Sequence, residues 1–193
     1  VGPHWMSHQL EWMNGVYSAF KDHDKFLIII YLTKKTLDFY SRNFTRITYD
    51  QFYSKDTLDI ENFTIAEIST NLNIPKESAR RKILELENNG AIKKFKKKIM
   101  IDRSAFPLIK PIKSIIRMSR FLSILSEMLV RQKILQKKMS SKNLEETIKK
   151  NFTYVWKIYY ELQIPMLLKY NEIFKDLETF HIFGTCIINQ QAR

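Results

Sequence analysis

One cysteine, four glycines and five prolines are all that the 193 residues hold of the types that staple, turn or stop a chain. A lone thiol, Cys186, can close no intramolecular disulfide and leaves no second thiol for a zinc site. It is expected to be a quiet structural thiol, and the expected compartment is a reducing one, the cytoplasm. So few glycines and prolines exclude an all-β protein, which must supply many tight turns, and favour long helices. Long apolar runs are also missing. The longest, Phe26 to Leu32, is about a third of the roughly 20 residues that cross a bilayer. Val1 to Met6 has neither the basic start nor the apolar stretch of a signal peptide, and Met6 reads as the natural start.

Residues for chemistry are equally scarce. There is no phosphate-binding glycine loop, no nucleophile elbow and no paired carboxylates at catalytic spacing. His4, His8, His23 and His181 lack metal-ligand spacing. The expectation is therefore no enzyme, no cofactor and no metal.

What is present is positive charge and a core. The net charge is +12 with a sequence pI of about 9.7. Such an excess favours polyanions, nucleic acid first and an anionic membrane surface second. Hydrophobic residues make up 45% and aromatics 13%, the profile of a packed chain. A chain of this length buries roughly 70% of its unfolded surface without staples.

From Leu10 to about Phe44, apolar residues recur at helical spacing, with Lys21-Asp22-His23-Asp24 as a break. Residues 42–62 read as a polar connection with one short helix. Thr64-Ile65-Ala66-Glu67 spells a capping box, in which the Thr64 hydroxyl takes the Glu67 amide and the Glu67 carboxylate returns to the Thr64 amide. A short helix to Leu72 follows. Asn73-Ile74-Pro75 turns the chain, with Pro75 in the first turn of a second helix that stops at Gly90. Two β-like runs come next, Ala91–Phe95 and Ile99–Asp102, with Lys96-Lys97-Lys98 at or near their turn.

After Pro107 an apolar helical stretch, with Pro111 in its first turn, reaches Leu135, and Ser140 to Asn143 interrupts it, Asn143 pairing with Glu146 as an N-cap. One helix is then expected from about Leu144 to Leu162. Pro165 should bend or restart the chain into a last helix ending near Phe180. Tyr154, Trp156, Tyr159, Tyr160 and Tyr170 could line a small-molecule pocket, although helical spacing makes them core first.

Ala79, Ile83 and Leu86 mark the inward face of the second helix, closed by Ile68, Leu72 and Ile74. Lys76, Ser78, Arg81 and Lys82 point the other way. Arginine grips guanine O6 and N7 bidentately, which makes Arg81 the leading base reader. Lys76 and Ser78 suit phosphate at the positive end of the helix dipole. Residues 76–98 hold nine Lys or Arg against three Glu, so half of the chain's excess charge lies in 23 residues. Lys94, Lys96, Lys97 and Lys98 would then hold the flanking backbone.

Lys76-Glu77-Ser78-Ala79-Arg80-Arg81 and Leu86-Glu87-Asn88-Asn89-Gly90-Ala91-Ile92 resemble the pattern of bacterial winged-helix regulators, in particular the DNA-binding domain of the cyclic-AMP receptor (catabolite activator) family. The resemblance implies that Ser78 and Arg81 face DNA, with Glu77 also near the bases. It spans about 40 residues, a fifth of the chain. The cyclic-nucleotide β-roll of that family is missing. A central winged helix between helical flanks is similar instead to the multiple-antibiotic-resistance regulator type, whose flanks make a dimer.

The sequence thus predicts a mostly α protein: an N-terminal helical region (1–62), a winged helix-turn-helix (63–103) and a C-terminal helical region (104–193). The expected function is a transcription regulator that binds double-stranded DNA as a homodimer. The alternative is an interaction or assembly module whose basic face docks on an acidic protein or membrane surface.

Overall fold

Two long helices open the chain, α1 (Gly2–Phe20) and α2 (His23–Arg42). Between them Lys21 takes a left-handed φ of 54° and Asp22 caps α2, accepting from the Lys25 amide at 3.0 Å. The break expected at 21–24 is therefore real, and its acidic residue does the capping. α2 is buried continuously from Leu27 to Thr33, because α1, α4, α5 and α8 pack around it. The computed structural model describes residues 2–43, 46–54, 57–59, 63–95, 98–102 and 111–191.

A short α3 (Tyr49–Tyr53) starts with a full capping box, Thr48 Oγ1 taking the Gln51 amide and Gln51 Oε1 the Thr48 amide. β1 (Thr57–Asp59) follows, a strand in a stretch whose polar sequence reads as connection. Then come α4 (Ile65–Leu72), α5 (Lys76–Asn88), β2 (Ile92–Phe95) and β3 (Lys98–Asp102). The three strands form an antiparallel sheet in the order β1-β3-β2, with Ile92 opposite Ile101 and both buried against the helices.

The C-terminal half is helical: α6 (Ile112–Arg131), α7 (Ser141–Lys150), α8 (Phe152–Phe174) and α9 (Leu177–Gln191). One continuous hydrophobic core joins α1 through α9 with Ile92 of β2 and Ile101 of β3. Part of it is an aromatic cluster around Phe152. Phe152 lies 5.2 Å from Phe52 and 5.5 Å from Trp156, centroid to centroid. A buried amide pair, Gln9 with Gln163, ties α1 to α8 through hydrogen bonds in both directions, 3.2 and 2.6 Å. Among the described residues, no helix is long and apolar enough to cross a membrane.

The chain is mostly helical, but several boundaries differ from the sequence expectation. The helix expected over 144–162 is split at Asn151, and it is Ser140, accepting from the Asn143 amide at 3.2 Å, that caps α7 in place of Asn143. Ile134 and Leu135 lie outside α6 and are exposed. Pro165 does not restart the chain. It sits inside α8 at an exposed position, where water can satisfy the carbonyl that its missing N–H leaves free. Cys186 is exposed on α9, not tucked into the core.

Candidate nucleic-acid interface

The α4–turn–α5 unit is fixed by local chemistry at each end. Thr64 Oγ1 accepts from the Glu67 amide at 3.1 Å. The Glu67 carboxylate does not complete the expected box; it takes the Lys35 ammonium at 3.2 Å. A long-range charge partner wins over the local amide. Asn73 follows α4 with φ 52°, and Ile74 donates back to the Ser69 carbonyl at 3.1 Å. Pro75 is the residue just ahead of α5. At the far end Gly90 takes φ 73°, with Gly90 N–H to Glu87 and Ala91 N–H to Leu86 closing the last turn at 2.9 and 2.8 Å. That pair of bonds is the left-handed helix stop, and only glycine adopts it at no steric cost.

Ala79, Ile83 and Leu86 are buried, with Ile68, Leu72 and Ile74 closing the small core beneath them. The outward face of α5 therefore carries Lys76, Glu77, Arg80, Arg81 and Leu84. Arg81 is 71% exposed, and its Nε lies 3.9 Å from Glu85. Glu85 is itself engaged by the Lys25 ammonium, whose hydrogen bond holds the Glu85 carboxyl below its usual range. Arg81 is thus left largely un-neutralised. Lys76 is exposed at the helix start and Ser78 is half-buried beside it. Glu77 is exposed and pairs with Arg80 at 2.8 Å, so the two partly cancel until a stronger anion arrives.

Lys82 is the correction. The sequence sends it outward with Arg81, yet its side chain is only 12% exposed and its Nζ lies 2.6 Å from Asp22 and 3.3 Å from Asp24. It faces the α1–α2 corner because α2 packs its N-terminal end against α5 there. Burial pulls the Lys82 ammonium down, but the hydrogen bond to Asp22 and the charges of both aspartates carry it above its ordinary value. A cation held this way is a structural clamp. The corner is anchored again from α9, where Glu178 accepts from His23 Nδ1 at 2.9 Å. That bond pushes the Glu178 carboxyl down to about 2, against the opposing effect of burial.

Lys94 stands on β2, and Lys98 opens β3 opposite Phe95. Lys96 and Lys97 lie outside the described residues. Two basic residues were absent from the expected set: Arg80, and Lys93, which is exposed on β2. Both stood inside the same basic run, so position on the helix face and strand was the available signal.

The turn ahead of α5 borders a cleft of about 390 Å³ that includes Asp24, Glu172, Asp176 and Glu178. Lys175 also lines the cleft, which leaves an acidic excess on that flank beside the basic face of α5. Among the described residues no cluster of His, Cys, Asp or Glu is arranged to hold a metal ion. Of the aromatics that could line a pocket, Trp156, Tyr159 and Tyr160 are buried and Tyr154 is exposed. Tyr170 stacks on Phe180 at 4.0 Å. Comparison with protein-family models, curated proteins and solved structures gives no match for this chain.

Proposed function

We propose that α4, α5 and the β2–β3 hairpin act as a winged helix-turn-helix that binds double-stranded DNA, and that the protein is a transcription regulator. The observation that carries this reading is the outward face of α5, where Lys76, Arg80 and Arg81 stand exposed. A helix of these dimensions fits the major groove, and its N-terminal half meets the base edges. Arg81 is the base reader, and Glu77 can accept from a cytosine amine. Lys76, Ser78 and Arg80 hold phosphates. Leu84, exposed one turn beyond Arg80, suits a thymine methyl. Lys93 and Lys94 on β2, with Lys96, Lys97 and Lys98 of the basic run, serve the flanking backbone. Lys82 has no part in the groove.

Fluorescence anisotropy on a selected duplex tests the assignment. Arg81→Ala should lose about 5- to 150-fold on the selected site, corresponding to about 1–3 kcal/mol, and far less on an unrelated duplex. Equal losses on both would make Arg81 a phosphate contact. Wild-type protein that binds no duplex at low salt would sink the reading and leave a docking module.

Two-fold operators call for paired recognition helices, so the working unit is proposed to be a homodimer through the flanking helices. α8 supports this with Tyr154, Ile158 and Leu162, exposed at i, i+4 and i+8 along one line. Sedimentation should give the dimer mass at tens of micromolar, and Ile158→Lys with Leu162→Lys should give the monomer. A monomeric wild type would remove the dimer from the proposal.

A further inference from the structure

We propose that the cavity between α1, α2 and α6 binds a small organic monocarboxylate with an apolar body. The cavity measures about 440 Å³, toward the lower end of the roughly 300–1,000 Å³ typical of small-molecule sites. Trp12, Val16, Phe20, Phe26, Ile29 and Ile112 supply most of its wall. The charged residues lining it are Arg117 and Lys113, and no carboxylate stands among its described lining residues.

Arg117 is the reason for the anion. Its Nη2 donates to Ser114 Oγ at 3.0 Å, while its Nε is closed off from solvent without any partner. Glu11 acts on it only as a charge at a distance, and burial is the larger influence, pulling the guanidinium below its ordinary value. A half-buried guanidinium with one neutral hydrogen-bond partner among the described residues is costly to hold. A carboxylate in the cavity would give the edge of the guanidinium that lines it a charge-assisted partner, and the apolar walls would take the rest of the ligand. Arg117 is the half-buried cation and pairs with one carboxylate, Lys113 is exposed, and the apolar walls favour an organic acid over an inorganic anion.

Phe20 and Phe26 in the cavity wall flank the corner where Asp22 and Asp24 hold Lys82 of α5. A ligand that fills the cavity therefore bears on the seat of α5. Binding of the carboxylate stands by itself; its coupling to DNA rests on the proposed function.

Isothermal titration calorimetry of the full chain with 1-naphthoate and octanoate, against 1-naphthylmethanol and octanol, tests the site. At least one acid should bind about tenfold or more tightly than its alcohol. Arg117→Met should abolish that preference, and Arg117→Lys should keep part of it. Ala19→Phe, which fills the cavity from α1, should weaken acid and alcohol together. Should Arg117→Met fail to melt cooperatively, Arg117→Lys and Ala19→Phe decide. The proposal is overturned if neither acid binds at millimolar concentration, if acid and alcohol bind alike, or if the preference survives in Arg117→Met. A saturating acid should also change duplex affinity by about fivefold or more. No change there removes the coupling and leaves the site. Absence of any duplex binding, with acid binding intact, overturns the DNA reading alone.

Discussion

Between about 50 and 200 mM salt, duplex affinity should fall by about 10³–10⁵, the loss expected when 6–10 phosphate contacts release their counterions. The number follows from how many cations face outward. On the proposed recognition side each copy of the proposed dimer offers Lys76, Arg80 and Arg81 from α5 and Lys93 from β2, all exposed, with further lysines in the hairpin sequence. Two copies reach the required range without any contribution from Lys82. The acidic cleft beside Pro75 sets a limit, because Asp24, Glu172, Asp176 and Glu178 repel phosphate on that flank. Replacing Lys96, Lys97 and Lys98 with Ala should flatten the plot of log affinity against log salt by about one for each lysine that meets a phosphate. Replacing Arg81 should instead narrow the gap between the selected and the unrelated duplex. A salt plot that stays near zero slope would mean that the basic face does not meet a phosphate backbone. An unchanged slope in the triple variant would take the hairpin lysines out of the interface while leaving α5 in it.

What the sequence disclosed and what it hid divide along the range of the interactions. The bounds of α4 and α5 were readable because each rests on one or two neighbouring residues: the Thr64 hydroxyl, the left-handed Asn73, Pro75 and Gly90. The inward face of α5 was readable for the same reason, since burial of Ala79, Ile83 and Leu86 repeats with the helix period. Glu67 and Lys82 were misread because their partners, Lys35 and the Asp22–Asp24 pair, are distant in sequence and meet them only when α2 packs. A signal was present in the second case. Two aspartates flanking a helix break form an acidic corner, and a lysine on the edge of a buried helix face can reach one. The cavity was hidden more deeply, because its walls come from helices up to about 150 residues apart and its key group is an arginine inside an apolar stretch. Helical periodicity marked the face of α6 but gave no sign of what faces Arg117.

Lys82→Met should destabilise the protein by about 2–4 kcal/mol at pH 7, somewhat below the 3–5 typical of breaking a fully buried pair, because the aspartates keep some contact with water. The variant retains the length of the side chain and removes its charge, so Asp22 and Asp24 are left facing each other at the seat of α5. Burial already holds the Asp24 carboxyl above its ordinary value, against the downward pull of Lys82. Without that pull the Asp24 value climbs further. A carboxyl raised on folding favours the folded state while protonated, below its unfolded value near 3.8, and that contribution is lost as pH rises through the folded value. The deficit of Lys82→Met should therefore be smaller at pH 4 than at pH 7 in urea denaturation. Adding Asp22→Asn and Asp24→Asn should recover most of the loss at pH 7, since neutral amides have no repulsion to relieve and Asn still caps α2. Under conditions where both proteins are folded, Lys82→Met should leave the salt slope of duplex binding unchanged. A loss under about 0.5 kcal/mol, or the same loss at both pH values, would show that Lys82 is not a clamp. A flattened salt slope with unchanged stability would return it to the groove, where its neighbours Arg80 and Arg81 are proposed to lie.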